Sequence, residues 1–352
     1  MLCASDVEAL SLTELLDLAD DECRTLWRDL RLGYTESAGH PLLRAEIASL
    51  YENISPDETL TFAGAEEAIY ILLSVLLDVG DHAIVACPAY QSLHEIARGT
   101  GADVDLLELD EDSGWALDLN ELQRLLRPAT RLIVVNFPHN PTGALPDRET
   151  FAALVDMARY SGCWLLSDEV YRGLEYDDSQ QLPAACDLYE HGISLGVMSK
   201  AYALAGLRVG WVACRNTDLL ERLAAFKDYT TICNSAPSEI LALIALRARE
   251  TLLARSRAIV NGNLVHLGGF FAEWSDAFQW VRPRAGSVAF PRLTASTSIE
   301  DFAAELVERE GVLLLPGTLF GHPGNHFRLG FGWSDLPLAL QGLERFAKLK
   351  FP

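Results

Sequence analysis

Between residues 59 and 213, short apolar runs alternate with segments of helical period, and no other feature restricts this chain as much. Thr59 to Phe62, His82 to Ala86, Val104 to Leu109, Arg131 to Asn136, Cys163 to Ser167, Ile193 to Met198 and Val209 to Ala213 read as strands. Most are apolar throughout rather than at every second position, the pattern of strands covered on both faces. Helical segments separate them: Gly64 to about Leu77, Tyr90 to Arg98, and about Asp147 to Ser161. A further helix opens at Asp118, with Glu121 three residues on at a capping-box spacing. Apolar strands joined by helices predict an α/β fold with a mostly parallel central sheet.

The flanks are less regular. Leucines among acids over residues 6 to 30 predict one or two short amphipathic helices, followed by the glycine-bounded loop Gly33-Tyr34 to Gly39 and a helix with Pro41 in its first turn. A helical run from about Ser238 to Phe271, interrupted near Asn261-Gly262-Asn263, leads into short strands at Phe278 to Val281, Ser287 to Pro291 and His326 to Leu329. Helices at about Ile299 to Glu310 and Leu336 to Leu349 complete a smaller α+β unit. The expected organisation is a helical segment at 1–30 packing with the small domain, a large domain at 31–255 and a small C-terminal domain at 256–352.

Charge narrows the function. A formal net charge of −22 over 352 residues argues against nucleic acid and against an anionic membrane surface. No apolar run approaches the roughly 18 residues of a membrane span, and the N-terminus lacks the basic-then-apolar form of a signal peptide. The seven cysteines are scattered without a C-x-x-C pair, which reads as reduced, buried thiols and a cytoplasmic compartment. No metal-ligand cluster stands out.

In open α/β sheets ligands bind at the carboxyl ends of the strands. Three strand ends carry chemistry here. The run to Asn136 continues into Phe137-Pro138-His139-Asn140-Pro141-Thr142-Gly143. The run to Ser167 continues into Asp168-Glu169-Val170-Tyr171-Arg172, and the Ile193 run leads to Lys200. An amide, a carboxylate and an amine thus come to one edge. Lys200 lies between two apolar runs, where an ammonium is costly unless paired or reactive. A lysine amine pushed toward neutrality can attack a carbonyl and hold it as a Schiff base; the plainer alternative is a snorkelling lysine at a strand end. The plainer alternative for Asp168 is a helix N-cap, and turn formation alone would account for Asn140. Gly64-Ala65-Glu66 form a strand-to-helix junction suited to an anion, and Arg208 adds a fork-shaped cation. Arg328, on an apolar strand, needs a carboxylate partner, either a ligand's or an internal one.

Taken in order, NFPHNPTG, SDEVYR and SKAYALAGLRVGW resemble the motifs of the class I/II aminotransferases, pyridoxal-phosphate enzymes of fold type I. The resemblance runs from Gly33-Tyr34 to Phe327-Arg328, essentially the whole chain. It implies pyridoxal 5'-phosphate as cofactor, with Lys200 as its Schiff-base lysine and later the base that moves the substrate's α-proton. Asp168 would pair with the pyridine nitrogen, and Asn140 and Tyr171 with the ring hydroxyl. Gly64, Ala65, Glu66, Ser199 and Arg208 would hold the phosphate. Tyr90 would lie on the ring, or else be a core tyrosine. Arg328, with Asn140, would take the substrate's α-carboxylate. Tyr34 would reach the neighbouring subunit's cofactor, making a homodimer the active unit.

The chain also departs from the family. Val197 stands where a phosphate-binding serine is common, and Ser199 is the nearest substitute. Arg284-Ala285-Gly286 replaces a frequent pair of glycines. The segment before the first helix, which usually carries a glycine that contacts substrate, is expected to be short or absent. The leading reading is an aminotransferase that passes an α-amino group to a 2-oxo acid by a ping-pong cycle. Alternatives are a C–S lyase, cyclase, racemase or decarboxylase of the same fold, because these share the cofactor-binding residues. A regulator using this fold to bind an effector would carry a DNA-binding segment, for which the acidic residues before Tyr34 are a poor candidate.

Overall fold

Along residues 130–136, Leu132 and Val134 enter one hydrophobic core while Ile133 and Val135 enter another. The alternation of faces that a strand imposes therefore meets apolar surroundings on both sides. Each such buried aliphatic side chain contributes about 1.5–3 kcal/mol. The structure, a computed structural model, describes residues 2–351.

Helices α1 (Leu12–Asp17), α2 (Asp21–Arg28) and α3 (Pro41–Ala48) come first. Ser11 and Glu14 close a reciprocal capping box on α1, and Pro41 occupies the first turn of α3. Next come β1 (Thr59–Phe62), α4 (Ala65–Leu76), β2 (His82–Cys87), α5 (Gln91–Gly99), β3 (Asp103–Glu108) and α6 (Leu119–Leu125). They are followed by β4 (Thr130–Asn136), α7 (Arg148–Ser161), β5 (Trp164–Asp168), α8 (Ala185–Leu188), β6 (Gly192–Val197) and β7 (Gly210–Ala213). The side chain of Asp118 caps α6 by accepting from the amides of Asn120 and Glu121.

The seven strands lie in the order β1-β7-β6-β5-β4-β2-β3. β2, β3, β4, β5 and β6 run parallel, whereas β7 is antiparallel to both β6 and β1. Reversal at β7 has a direct consequence for function. Its first residue, Gly210, pairs with Phe62 at the end of β1 and with Val197 at the end of β6. Asn136 pairs with Asp168 on the next two strands. The ends of β1, β4, β5 and β6 and the start of β7 therefore share one edge of the sheet.

The remainder comprises α9 (Thr217–Lys227), α10 (Ala236–Arg247), α11 (Arg249–Glu273), β8 (Phe278–Gln279), β9 (Val288–Ala289) and β10 (Arg292–Leu293). After them come α12 (Ile299–Glu310), β11 (Leu315–Pro316), β12 (Phe327–Gly330) and α13 (Leu336–Lys350). β12 is the middle strand of a three-stranded antiparallel sheet, between β11 and β9. The division expected at residue 255 falls inside α11.

One helix differs from expectation. The interruption near Asn261-Gly262-Asn263 does not occur, and α11 runs through it unbroken; the break lies at Ala248 instead. Asn263, a poor helix former, spends its side-chain amide on the carbonyls of Phe331 and Trp333, at 2.8 and 2.7 Å. Val260, Leu264 and Leu267 bury the same face. Tertiary contacts outweigh local propensity there.

The segment before the first helix, expected to be short or absent, is a short extended strap. Helices α1 and α2 lie against α10, while the extended residues Leu2 to Glu8 run along β12 and its continuation. The Gly330 amide donates to the Leu2 carbonyl at 2.7 Å, and the Glu8 amide donates to the Gly332 carbonyl at 2.9 Å. Two glycines make this approach possible: a Cβ at Gly330 would lie 1.6 Å from the Ala4 carbonyl oxygen, and one at Gly332 would lie 2.2 Å from that of Asp6.

Candidate active site

Where the strand ends meet the small sheet, a cleft of about 290 Å³ opens. Ten of the twelve anticipated site residues line it: Ala65, Glu66, Tyr90, Asn140, Asp168, Tyr171, Ser199, Lys200, Arg208 and Arg328. Gly64 stands just behind, and Tyr34 is 87% exposed on the surface of its own chain, away from the cleft. Ser5, Asp6 and Asn136 line it without having been anticipated.

Asn136 organises the turn beside it. Its Oδ1 accepts from the Asn140 amide at 2.7 Å, and its Nδ2 donates to the Asp168 carbonyl at 2.8 Å. The last residue of β4 thereby fixes the start of the Asn140-Pro141-Thr142-Gly143 turn against the end of β5. His139 in that turn is buried, its Nδ1 2.7 Å from Thr142 Oγ1, and burial pushes the imidazole down to about 3, which keeps it neutral.

Asp168 is 4% exposed, and burial pushes its carboxyl up to about 7. The Val170 amide, donating to Oδ1 at 3.2 Å, and the Lys200 amine oppose that shift. A buried carboxylate with so little compensation favours a cationic partner. Lys200 itself is half-buried, and its Nζ donates to Ser5 Oγ at 2.7 Å and sits 5.6 Å from the Tyr171 ring centroid. Burial alone would have chosen a different lysine. Lys227 is fully buried, but its Nζ donates to the carbonyls of Ser37 and Thr61 at 2.7 and 2.8 Å, which makes it a tie between loop and strand.

At the junction of β1 and α4, Gly64 has a φ of +88°, a region open to glycine but strained for other residues. A Cβ there would come within 2.5 Å of Arg208 Nη2, so the missing side chain is what lets the guanidinium lie against the turn. Gly64 also brings no capping side chain to α4, leaving the first amides of a twelve-residue helix available to an anion. Arg208 donates from Nη1 to the Ala205 carbonyl at 3.0 Å and forms no ion pair among the described residues. Val197 is buried at the cleft wall and Ser199 stands nearby.

Arg328, on β12, is 7% exposed. It donates from Nη1 to Asn140 Oδ1 at 3.2 Å and from Nη2 to the Cys3 carbonyl at 2.9 Å. Its Nε is buried without a partner, as is the Tyr171 hydroxyl. Among the described residues no carboxylate pairs with this arginine, so the internal ion pair that would explain its burial is missing. An uncapped helix start with a free arginine fits a phosphate. The buried Asp168 fits a protonated ring nitrogen, and the orphaned Tyr171 hydroxyl, which lines the same cleft as Asn140, fits a ring oxygen. This donor set suits pyridoxal phosphate.

Comparison with known proteins points the same way. The family model for aminotransferase class I and II matches residues 2–336. Capreomycidine synthase from Streptomyces vinaceus is 36% identical over 84% of this chain and 75% of its own length. A PLP-dependent aminotransferase from Streptococcus suis superposes with a TM-score of 0.93 at 33% identity, covering 99% of this chain and 93% of that one. A PLP-dependent cyclase superposes with a TM-score of 0.91 at 31% identity, with the same coverage of 99% and 93%. Among the described residues no helix is long and apolar enough to cross a membrane.

Proposed function

The chain belongs to the class I and II aminotransferase family, and from that premise we propose that it moves the α-amino group of an amino acid to a 2-oxo acid in two half-reactions. The observation that carries this reading is Arg328, buried at the cleft without a carboxylate of its own and within hydrogen-bond distance of Asn140. A guanidinium so placed offers fork geometry to a carboxylate, and the amino and oxo acids of such a reaction share one. When bound, pyridoxal phosphate supplies an aldehyde that condenses with amines and a pyridine ring that takes up the electron pair of the substrate's α-carbon.

The chain's own residues divide the remaining work. The first amides of α4 and Arg208 would hold the phosphate, with Ser199 in place of the hydroxyl that Val197 lacks. Asp168 would hold a proton on the ring nitrogen, and Tyr171 and Asn140 would donate to or accept from the ring oxygen. Tyr90, which lines the same cleft, would cover the ring face. Lys200 carries the α-proton, because its amine is the base that reaches the cleft from the end of β6. The reading includes a cytoplasmic homodimer in which Tyr34 reaches the neighbouring phosphate. Its support is a surface where Tyr34, Leu32 and Tyr229 are more than four-fifths exposed, with the Tyr34 loop tied to residues 232–234 through Ser37 and Thr35.

A second reading is ring closure of an amino-acid substrate, favoured by the likeness to capreomycidine synthase and to a cyclase structure. Residues that hold the cofactor serve both outcomes equally. The deciding experiment supplies 15N-labelled amino acids with pyruvate or 2-oxoglutarate and follows the label by mass spectrometry. Label on the new amino acid supports transfer. A cyclised product formed without consumption of the oxo acid would replace it with the second reading.

A further inference from the structure

Ser5 touches the lysine, and the segment that carries it is held from several sides. The Ser5 carbonyl accepts from Ser287 Oγ at 2.9 Å, the preceding Cys3 carbonyl takes Arg328 Nη2, and the following Asp6 accepts from Trp333 Nε1 at 3.4 Å. Leu2 and Val7, on either side, are fully buried. The hydroxyl that meets Lys200 Nζ at 2.7 Å therefore sits on a fixed strap and not on a loose terminus. No other side-chain hydrogen bond to Nζ occurs among the described residues. In the cycle proposed above, Lys200 is released from the cofactor when it takes up the substrate's proton, and Ser5 is then within its reach.

We propose that Ser5 is a positioning residue for Lys200. It holds the released amine on the side of the cleft that faces Arg328, so that the base and the bound carboxylate keep a constant relation during proton transfer. Through Cys3 and Ser5 one short strap touches both groups, which gives the site a rigid link between binding and chemistry. The role in turnover rests on the function proposed above, whereas the Ser5–Lys200 contact does not.

Two measurements test these parts separately. In the first, the cofactor-free protein is labelled with acetic anhydride at fixed pH, and the rate at Lys200 is read by peptide mass spectrometry. Ser5→Ala is expected to label at least about threefold faster, with Ser5→Thr close to the native rate because it keeps the hydroxyl. Equal rates in all three proteins would overturn the proposal whatever reaction the enzyme performs. In the second, the loaded enzyme is assayed with α-deuterated and ordinary amino acid. Ser5→Ala should lower kcat roughly 10- to 100-fold, leave KM within about twofold and enlarge the isotope effect, with Ser5→Thr restoring most of kcat. A rise in KM at unchanged kcat, or an unchanged isotope effect, would make Ser5 a substrate-binding or structural residue and end the proposal. Should no amino acid be turned over, the function reading fails and the labelling rates alone decide whether Ser5 holds the amine.

Discussion

Arg328 Nη1 donates to Asn140 Oδ1 across 3.2 Å, a hydrogen bond between residues 188 positions apart. It joins the central strand of the small sheet to the turn that follows β4. Asn140 is in turn bound to Asn136 and, through it, to the backbone of Asp168. The residues assigned to substrate and those assigned to cofactor thus form one connected network, and disturbing one end should be measurable at the other.

Arg328→Ala should raise KM for the amino acid roughly 30- to 5,000-fold, because truncating one side of a buried, hydrogen-bonded charge pair typically costs about 2–5 kcal/mol. Cofactor affinity should stay within a few-fold, since Arg208 and the start of α4 are untouched. Steady-state kinetics with a cofactor titration check both. Loss of the cofactor instead would mean that Arg328 belongs to the phosphate.

Removing the amine in Lys200→Ala should lower turnover roughly 100- to 10,000-fold, the scale of a general base. Borohydride treatment followed by intact-mass measurement should find the cofactor covalently retained in the native protein and absent from the variant. Retention in both would move the reactive lysine elsewhere, with the fully buried Lys227 as the place to look.

For Asp168 the prediction concerns pH. Burial pushes its carboxyl up to about 7 from the ordinary 3.8. Between these values the folded, cofactor-free protein keeps a proton that the unfolded chain has lost. The stabilisation from this group is therefore complete below about pH 4 and is lost as pH rises to about 7. Asp168→Asn does not titrate, so its stability relative to the native protein should climb across that window and level off above it. At about 1.4 kcal/mol per pH unit, the full difference is on the order of a few kcal/mol. Urea unfolding of both proteins from pH 4 to 8 measures it, and a difference that does not change with pH would refute the assignment.

Val197→Ser restores a hydroxyl at the cleft wall, where the native side chain is 4% exposed. One added hydrogen bond to a charged group is worth about 1.5–3 kcal/mol, so the affinity for pyridoxal phosphate should rise roughly tenfold or more. Equilibrium titration reads the change. If affinity does not rise while Ser199→Ala lowers it, Ser199 already supplies the hydroxyl.

Local pattern was enough for much of this protein. A strand buried on both faces must be apolar along its length, and a helix must repeat its apolar residues every third or fourth position. The apolar runs ending at Asn136, Ser167 and Met198 therefore located β4, β5 and β6 to within a residue or two. Because parallel strands present their carboxyl ends to one edge, Asn140, Asp168 and Lys200 could be grouped before any contact was known. The family resemblance gave roles to Tyr171, Arg208 and Arg328, and all six line one cleft.

What the tertiary structure decided are the contacts between segments far apart in the chain, which leave no periodic trace. Ser5 and Lys200 are separated by 195 positions, and nothing in Ala4-Ser5-Asp6 signals a site residue. The glycines of Gly330-Phe331-Gly332 make room for the backbone of Ala4 and Asp6, an approach that only the folded chain shows. Asn263 looked like a helix breaker until its amide was found to serve two distant carbonyls. Lys227 shows that even a fully buried lysine can be a structural tie. Propensity and periodicity act over a few residues and were legible in the chain; the partners of Arg328 and Lys200 depend on how the N-terminal strap and the two sheets come together, which only the folded protein determines.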